Sequence, residues 1–185
     1  MATFRNLILA IGLFALFGAC GDSTKKAYEQ STTEAQAFDG ITNEADATSA
    51  VIDQYMQLNR AFVETDAAKA KQAAATFVKH IGDIADESLS EEYLNALAAI
   101  EQRAAAISQS DDIEEQRSLF VPLTDQLYAM VKEFPTDQTI YYAYCPMAFG
   151  DTGGYWLTRE KEILNPYFGD KMLRCGVIKE AIEGL

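Results

Sequence analysis

Four successive stretches of apolar residues at helical spacing, all between residues 49 and 135, constrain the fold of this chain most strongly. In each stretch the apolar residues recur every three or four positions, as on the buried face of an amphipathic helix. Capping residues precede the last three stretches, namely Asp66, Ser88 with Glu91, and Asp112 with Glu115. Because short loops join the stretches, the sequence predicts a mainly α fold, an antiparallel four-helix bundle over residues 49–135.

The composition changes after Pro135, where aromatic residues, glycines and prolines crowd together. Prolines and closely spaced glycines interrupt regular structure, so we expect an irregular, aromatic-rich loop within residues 136–185. One short extended segment is predicted at residues 139–144. So many aromatic side chains need buried contacts, and we therefore expect this segment to pack on the bundle as part of one domain.

Two cysteines and two methionines stand in mirrored spacing within this C-terminal segment. Cys145 and Met147 are two residues apart, so an extended backbone directs both side chains to the same side. Met172 and Cys175 are three residues apart, which places both on one face of a helical turn. Thiolate and thioether sulfur favour soft ions, whereas calcium prefers oxygen ligands. The pattern therefore predicts a copper(I) site formed by these four residues.

The segment from Tyr141 to Val177 resembles a bacterial heavy-metal-binding domain of small exported lipoproteins, which is also appended to periplasmic adaptor subunits of copper and silver efflux systems. The motifs that carry the resemblance are Tyr144-Cys145-Pro146-Met147, Trp156-Leu157, Asn165-Pro166-Tyr167-Phe168-Gly169 and Met172-Leu173-Arg174-Cys175-Gly176. With the preceding helices, the resemblance extends over about residues 48 to 182. It implies that the four sulfur residues hold copper(I) or silver(I), which the protein buffers or hands to an efflux adaptor or another copper-handling protein.

The first 19 residues have the pattern of an export signal, with Arg5 as their only charge and small residues just before Cys20. This arrangement resembles the bacterial lipobox, in which the cysteine becomes lipidated. Residues 20–48 contain few large apolar residues, which predicts a flexible tether. We expect an extracytoplasmic protein, on the periplasmic side or at the outer membrane, that is attached to the membrane only through the lipid on Cys20.

A disulfide between Cys145 and Cys175 is the alternative to a metal site. Exported proteins favour disulfides, and this bridge closes a loop of about 30 residues, which stabilises a fold by roughly 3 to 4 kcal/mol. On this interpretation the protein is a disulfide-stapled interaction module with no metal role. His80, the only histidine, is either a partly buried packing residue of the second helix or an additional nitrogen ligand.

The charge and the motifs argue against several functional classes. The formal net charge of −13 disfavours binding to nucleic acid or to anionic lipid headgroups. The sequence has no phosphate-binding loop, no dinucleotide fingerprint and no EF-hand pattern. It also has no recognisable partner group that would make Cys145 a catalytic nucleophile, so we do not expect an enzyme.

Overall fold

The four amphipathic stretches form four helices that pack consecutively. Our computed structural model describes residues 43–185. Its first four helices are α1 (Glu44–Val63), α2 (Ala67–Ile84), α3 (Glu91–Gln109) and α4 (Ile113–Glu133). Each helix contacts the next, and α4 also packs against α1 and α2, which closes the bundle. The predicted mainly helical fold with a four-helix bundle is confirmed.

The predicted export signal, Cys20 and residues 20–42 of the predicted tether lie outside the described residues. Helix α1 begins at Glu44, earlier than its predicted start at residue 49, so the tether was predicted too long. The Asn43 side chain caps this helix by accepting a hydrogen bond from the Asp46 backbone N–H (3.0 Å). Within residues 43–185, no helix combines the length and the apolar character that crossing a bilayer requires.

Aromatic side chains from α1 and α4 form much of the core between these two helices. Phe120 lies between Tyr55 and Phe62, with ring centroids 4.9 and 4.8 Å apart. The Tyr55 hydroxyl is buried among these apolar groups, and it hydrogen-bonds to the Thr124 hydroxyl at 2.8 Å. This pairing satisfies a polar group whose desolvation would otherwise oppose folding.

A small antiparallel sheet follows the bundle, where the sequence pattern predicts an irregular loop. Its strands are β1 (Ile140–Cys145), β2 (Gly154–Thr158) and β3 (Val177–Ile182), in the order β2-β1-β3. The predicted extended segment at 139–144 corresponds to β1, but β2 and β3 were missed. Both strands are short and lie among glycines and prolines, so their local composition resembles that of loops.

Helix α1 covers the free edge of the sheet at Leu157, a buried residue of the outer strand β2. The Leu157 N–H donates a hydrogen bond to the Tyr55 hydroxyl (3.1 Å), and the Leu157 carbonyl accepts one from Asn59 Nδ2 (2.9 Å). The outer edge of a sheet has backbone groups that no neighbouring strand pairs with, and the Tyr55 and Asn59 side chains provide their hydrogen-bond partners here. The contacts fix the position of the sheet on the bundle.

A buried arginine of α4, Arg117, joins the bundle to the C-terminal segment. Its side chain is 1% exposed. The guanidinium donates to the carbonyl of Phe62 (3.1 Å) and the hydroxyl of Thr65 (3.2 Å), where α1 turns into α2. It also donates to the carbonyl of Pro166 (2.8 Å), which lies between β2 and β3. Its charge is balanced by Glu114 at 2.8 Å, whose side chain is 67% exposed.

Gly169 fits against the same α1–α2 turn because it has no side chain. It begins a short 3-10 turn, Gly169–Lys171, with φ +55°, a value that favours glycine. A Cβ atom at this position would overlap the Thr65 hydroxyl and would lie 3.2 Å from Arg117 Nη2. The absence of a side chain at Gly169 therefore leaves room for the hydrogen bond between Arg117 and Thr65.

We expect Arg117→Met to lower the free energy of unfolding by about 3 kcal/mol, because two buried carbonyls and the half-buried Thr65 hydroxyl lose their donor while the side-chain volume is nearly kept. Urea unfolding followed by circular dichroism measures this change. Glu114→Gln is the matched control, since it keeps a hydrogen-bond acceptor at an exposed position and leaves the buried acceptors paired, and we expect it to cost clearly less than Arg117→Met. An Arg117→Met variant as stable as the parent would contradict this role.

Candidate functional site

The pairing of β1 with β3 brings the two cysteines together. Cys145 is the last residue of β1, and Cys175 lies just before β3. The two strands run antiparallel with Tyr144 opposite Val177, so the chain positions that follow β1 and precede β3 are adjacent. Both residues are free thiols, and they lie close enough that Cys145 raises the pKa of the Cys175 thiol. This proximity is what a shared soft ion and a disulfide both require.

The two thiols have different surroundings. Cys145 is fully buried, whereas Cys175 is half-buried. The hydrogen bond to Cys145, together with burial, raises the pKa of the Cys175 thiol to about 11, although the Met147 backbone N–H acts in the opposite direction. Cys175 is therefore protonated at neutral pH, and an ion that binds its thiolate must displace that proton.

Met147 connects the thiols to the surface. Its backbone N–H is near enough to Cys175 to influence the pKa of that thiol, while its side chain is 48% exposed. The side chain lines an open cavity of about 390 Å³, together with Phe149, Phe168 and Lys171. A thioether in this position can meet an ion or a partner protein that arrives from solvent.

Met172 is linked to Cys175 through the backbone. The Cys175 N–H donates to the Met172 carbonyl at 3.0 Å, which forms a single turn between the two residues. The Met172 side chain is half-buried. Its role as a ligand stays a prediction.

His80 lies on α2, a helix that packs mainly against its neighbours α1 and α3. Its side chain is half-buried, as the packing interpretation expects. In the described part of the chain, no three His, Cys, Asp or Glu side chains group in a way that could hold a metal ion. The structure thus does not bring His80 to the two cysteines.

Trp156 of β2 packs against Gly176, the residue that follows Cys175. The indole is fully buried, and its Nε1 has no hydrogen-bond partner among the described residues. Gly176, which has φ +150°, passes so close to this ring that a Cβ atom there would lie 2.6 Å from Trp156 Cη2. The glycine following Cys175 is therefore required by packing as well as by backbone conformation.

The turn after Met147 winds in the left-handed sense. Phe149, Gly150 and Asp151 have φ values of 53°, 63° and 68°, within the short helical element α5 (Ala148–Asp151). For residues other than glycine this conformation costs about 1 to 2 kcal/mol each. The Phe149 ring packs edge-on against Tyr167, with centroids 5.0 Å apart, which helps to hold the turn beside the cavity.

Comparison with known proteins matches the helical part of the chain. A family model described as "Protein of unknown function (DUF3347)" matches residues 51–139, just under half of the chain. This region is similar to the family over most of α1 and all of α2, α3 and α4, and it ends before β1. The cysteines and methionines of the candidate site lie beyond the matched residues. No curated protein and no solved structure matches the chain.

We expect Cys145→Ala to accelerate the alkylation of Cys175 by iodoacetamide at pH 8. Removing the hydrogen bond from Cys175 to Cys145 lowers the Cys175 pKa toward its ordinary value of 9.0, so more thiolate is present. We expect the rate to rise about tenfold. The gain is smaller than the increase in thiolate, because a thiolate of lower pKa is also a weaker nucleophile. Peptide mass spectrometry over time measures the rate.

Ile140→Val is the control for this experiment, since it alters a buried residue at the other end of β1 without touching either thiol. Its alkylation rate should equal that of the parent. An unchanged rate in Cys145→Ala would show that the two sulfurs do not interact.

Proposed function

We propose that this protein binds copper(I), or silver(I), through the thiolates of Cys145 and Cys175, with thioether contacts from Met147 and Met172. In this proposal the protein is an exported lipoprotein, anchored through Cys20, that buffers the ion or passes it to an efflux adaptor or another copper-handling protein. It catalyses no bond-making reaction. The observation that carries the proposal is that the pairing of β1 with β3 brings Cys145 and Cys175 close enough for the two thiols to interact.

The chemistry of the donor set supports a soft monovalent ion. Two thiolates can hold copper(I) in a nearly linear arrangement, and a thioether adds a weaker third contact. Cys145 is fully buried, and the buried Trp156 ring packs on Gly176 beside Cys175, so this end of the site is shielded from water. A dry shell favours a soft ion of low charge and slows its oxidation.

The different exposures of the sulfur residues support transfer as well as storage. Cys145 is fully buried, while the Met147 side chain is 48% exposed and opens onto the cavity. An ion can therefore pass between a partner and the thiols by exchanging weak thioether contacts first. The acidic net charge of −13 favours a partner with a basic surface.

The disulfide-stapled interaction module remains the second candidate function, because the same proximity of the two thiols favours it. A bridge would tie β1 to β3 and stabilise the sheet without any need for Met147 or Met172. The two candidates differ in reducing conditions. A metal site requires reduced thiols, whereas a structural bridge must persist at the redox potential of a cytosol-like glutathione buffer.

We expect reduced protein to bind copper(I) tightly in an anaerobic titration against a competing chelator. Cys145→Ser and Cys175→Ser should each weaken binding at least about a hundredfold, because each removes one of two thiolates. Met147→Leu should weaken it by roughly tenfold through the loss of one thioether. Circular dichroism confirms that each variant is folded.

Met130→Leu is the matched control, since Met130 is a buried methionine of the bundle core. Its copper affinity should equal that of the parent. If Cys145→Ser and Cys175→Ser retain copper as well as the parent does, the proposed site is wrong. A Cys145–Cys175 bridge that survives the reducing buffer would instead favour the interaction module.

A further inference from the structure

We propose that Asn165 is a positioning residue that holds Cys175 opposite Cys145. The inference deepens the proposed function, because the preorganised thiol pair is the site at which the ion would bind. Asn165 lies in the connection between β2 and β3, and its side chain is fully buried. The Asn165 side chain matters for the site because it hydrogen-bonds to the backbone of Cys175.

The Asn165 side-chain amide hydrogen-bonds to two different parts of the chain. Nδ2 donates to the Cys175 carbonyl at 2.6 Å. Oδ1 accepts from the backbone N–H groups of Tyr167 (2.8 Å) and Phe168 (3.2 Å). One planar side chain thus closes the turn that follows it and holds the chain that precedes β3.

The backbone of Asn165 adds two further contacts. Its N–H donates to the Leu173 carbonyl at 2.9 Å, and its carbonyl accepts from the Gly169 N–H at 3.0 Å. Gly169 and Leu173, which flank Met172, are therefore both hydrogen-bonded to the backbone of Asn165. The next residue, Pro166, is held by Arg117, so this anchor is attached to the bundle.

The side chains closest in size to asparagine do not supply this combination. Aspartate has the same shape but lacks the donor for the Cys175 carbonyl when ionised, and leucine lacks both the donor and the acceptor. The serine hydroxyl can accept from a backbone N–H two residues on, but it is too short to span to Cys175. Asn165 therefore fixes where Cys175 lies relative to Cys145 without touching either sulfur.

The consequence of this positioning is a high effective concentration of one thiol at the other. Two groups held in contact react, or bind a shared ion, as if one were present at a very high concentration around its partner. Without the bond from Asn165, the residues before β3 gain freedom, and part of that advantage is lost. Formation of a disulfide measures the advantage without any metal.

The test is an equilibrium in a glutathione buffer on the full chain. Oxidised glutathione takes two electrons from the pair: its S–S bond breaks, the Cys145–Cys175 bond forms, and the two thiol protons leave with two molecules of reduced glutathione. Peptide mass spectrometry quantifies the Cys145–Cys175 bridge alone, so Cys20 does not contribute. We expect Asn165→Ala to lower the equilibrium constant at least about tenfold.

Asn59→Ala is the matched control. Asn59 is also a buried asparagine, and its Nδ2 also donates to a backbone carbonyl of the sheet, that of Leu157 on β2. We expect its equilibrium constant to stay within about twofold of the parent value, because its loss leaves the link between Asn165 and Cys175 intact. Asn165→Ser is the second variant, since it keeps a turn-closing acceptor, and we expect it to behave like Asn165→Ala.

Equal constants for Asn165→Ala and Asn59→Ala would overturn the inference. Loss of the helical circular dichroism signal in both Asn165 variants would also overturn it, since Asn165 would then serve the fold in general. Copper titration of the folded Asn165 variants should show a matching loss of affinity. If the parent itself binds no copper, the proposed function fails, while the glutathione equilibrium still decides the role of Asn165.

Discussion

The desolvated guanidinium of Arg117 is the interaction on which the rest of the structure depends. Moving a charge into a protein interior costs several kcal/mol unless hydrogen bonds replace those of water. Here the acceptors come from the α1–α2 turn and from Pro166, while the balancing carboxylate of Glu114 remains in solvent. The cost is therefore offset only when the bundle and the C-terminal segment are both in place, which makes their association cooperative.

The helices could be predicted from the sequence because each is long enough to repeat its apolar pattern several times. Asp66 and Asp112 were predicted correctly as N-caps, since each stands directly before such a pattern. The start of α1 was missed because the buried residues of its first turns, Ala47 and Thr48, are small or polar. The third helix is capped by Ser90 and not by Ser88, since two serines in close succession gave the same local signal.

The sheet and its anchors could not be predicted because they depend on contacts between distant residues. Residue spacing indicated that Cys145 and Cys175 belong to one site, but only the register of β1 with β3 shows how the two residues come together. Arg117 and Asn59 are polar residues within apolar stripes, and their partners lie far away along the chain. A sequence pattern contains no sign of such partners, so the buried hydrogen bonds of Arg117 and Asn59 could not be predicted.

The position of Trp156 gives this protein an optical property of its own. The chain contains a single tryptophan, so its indole emission arises from one buried ring that touches the residue following Cys175. A ring in such dry surroundings is expected to emit toward the blue, and a heavy ion or an oxidised sulfur nearby should quench it. The state of the two cysteines can therefore be followed in intact protein by light, without any added dye.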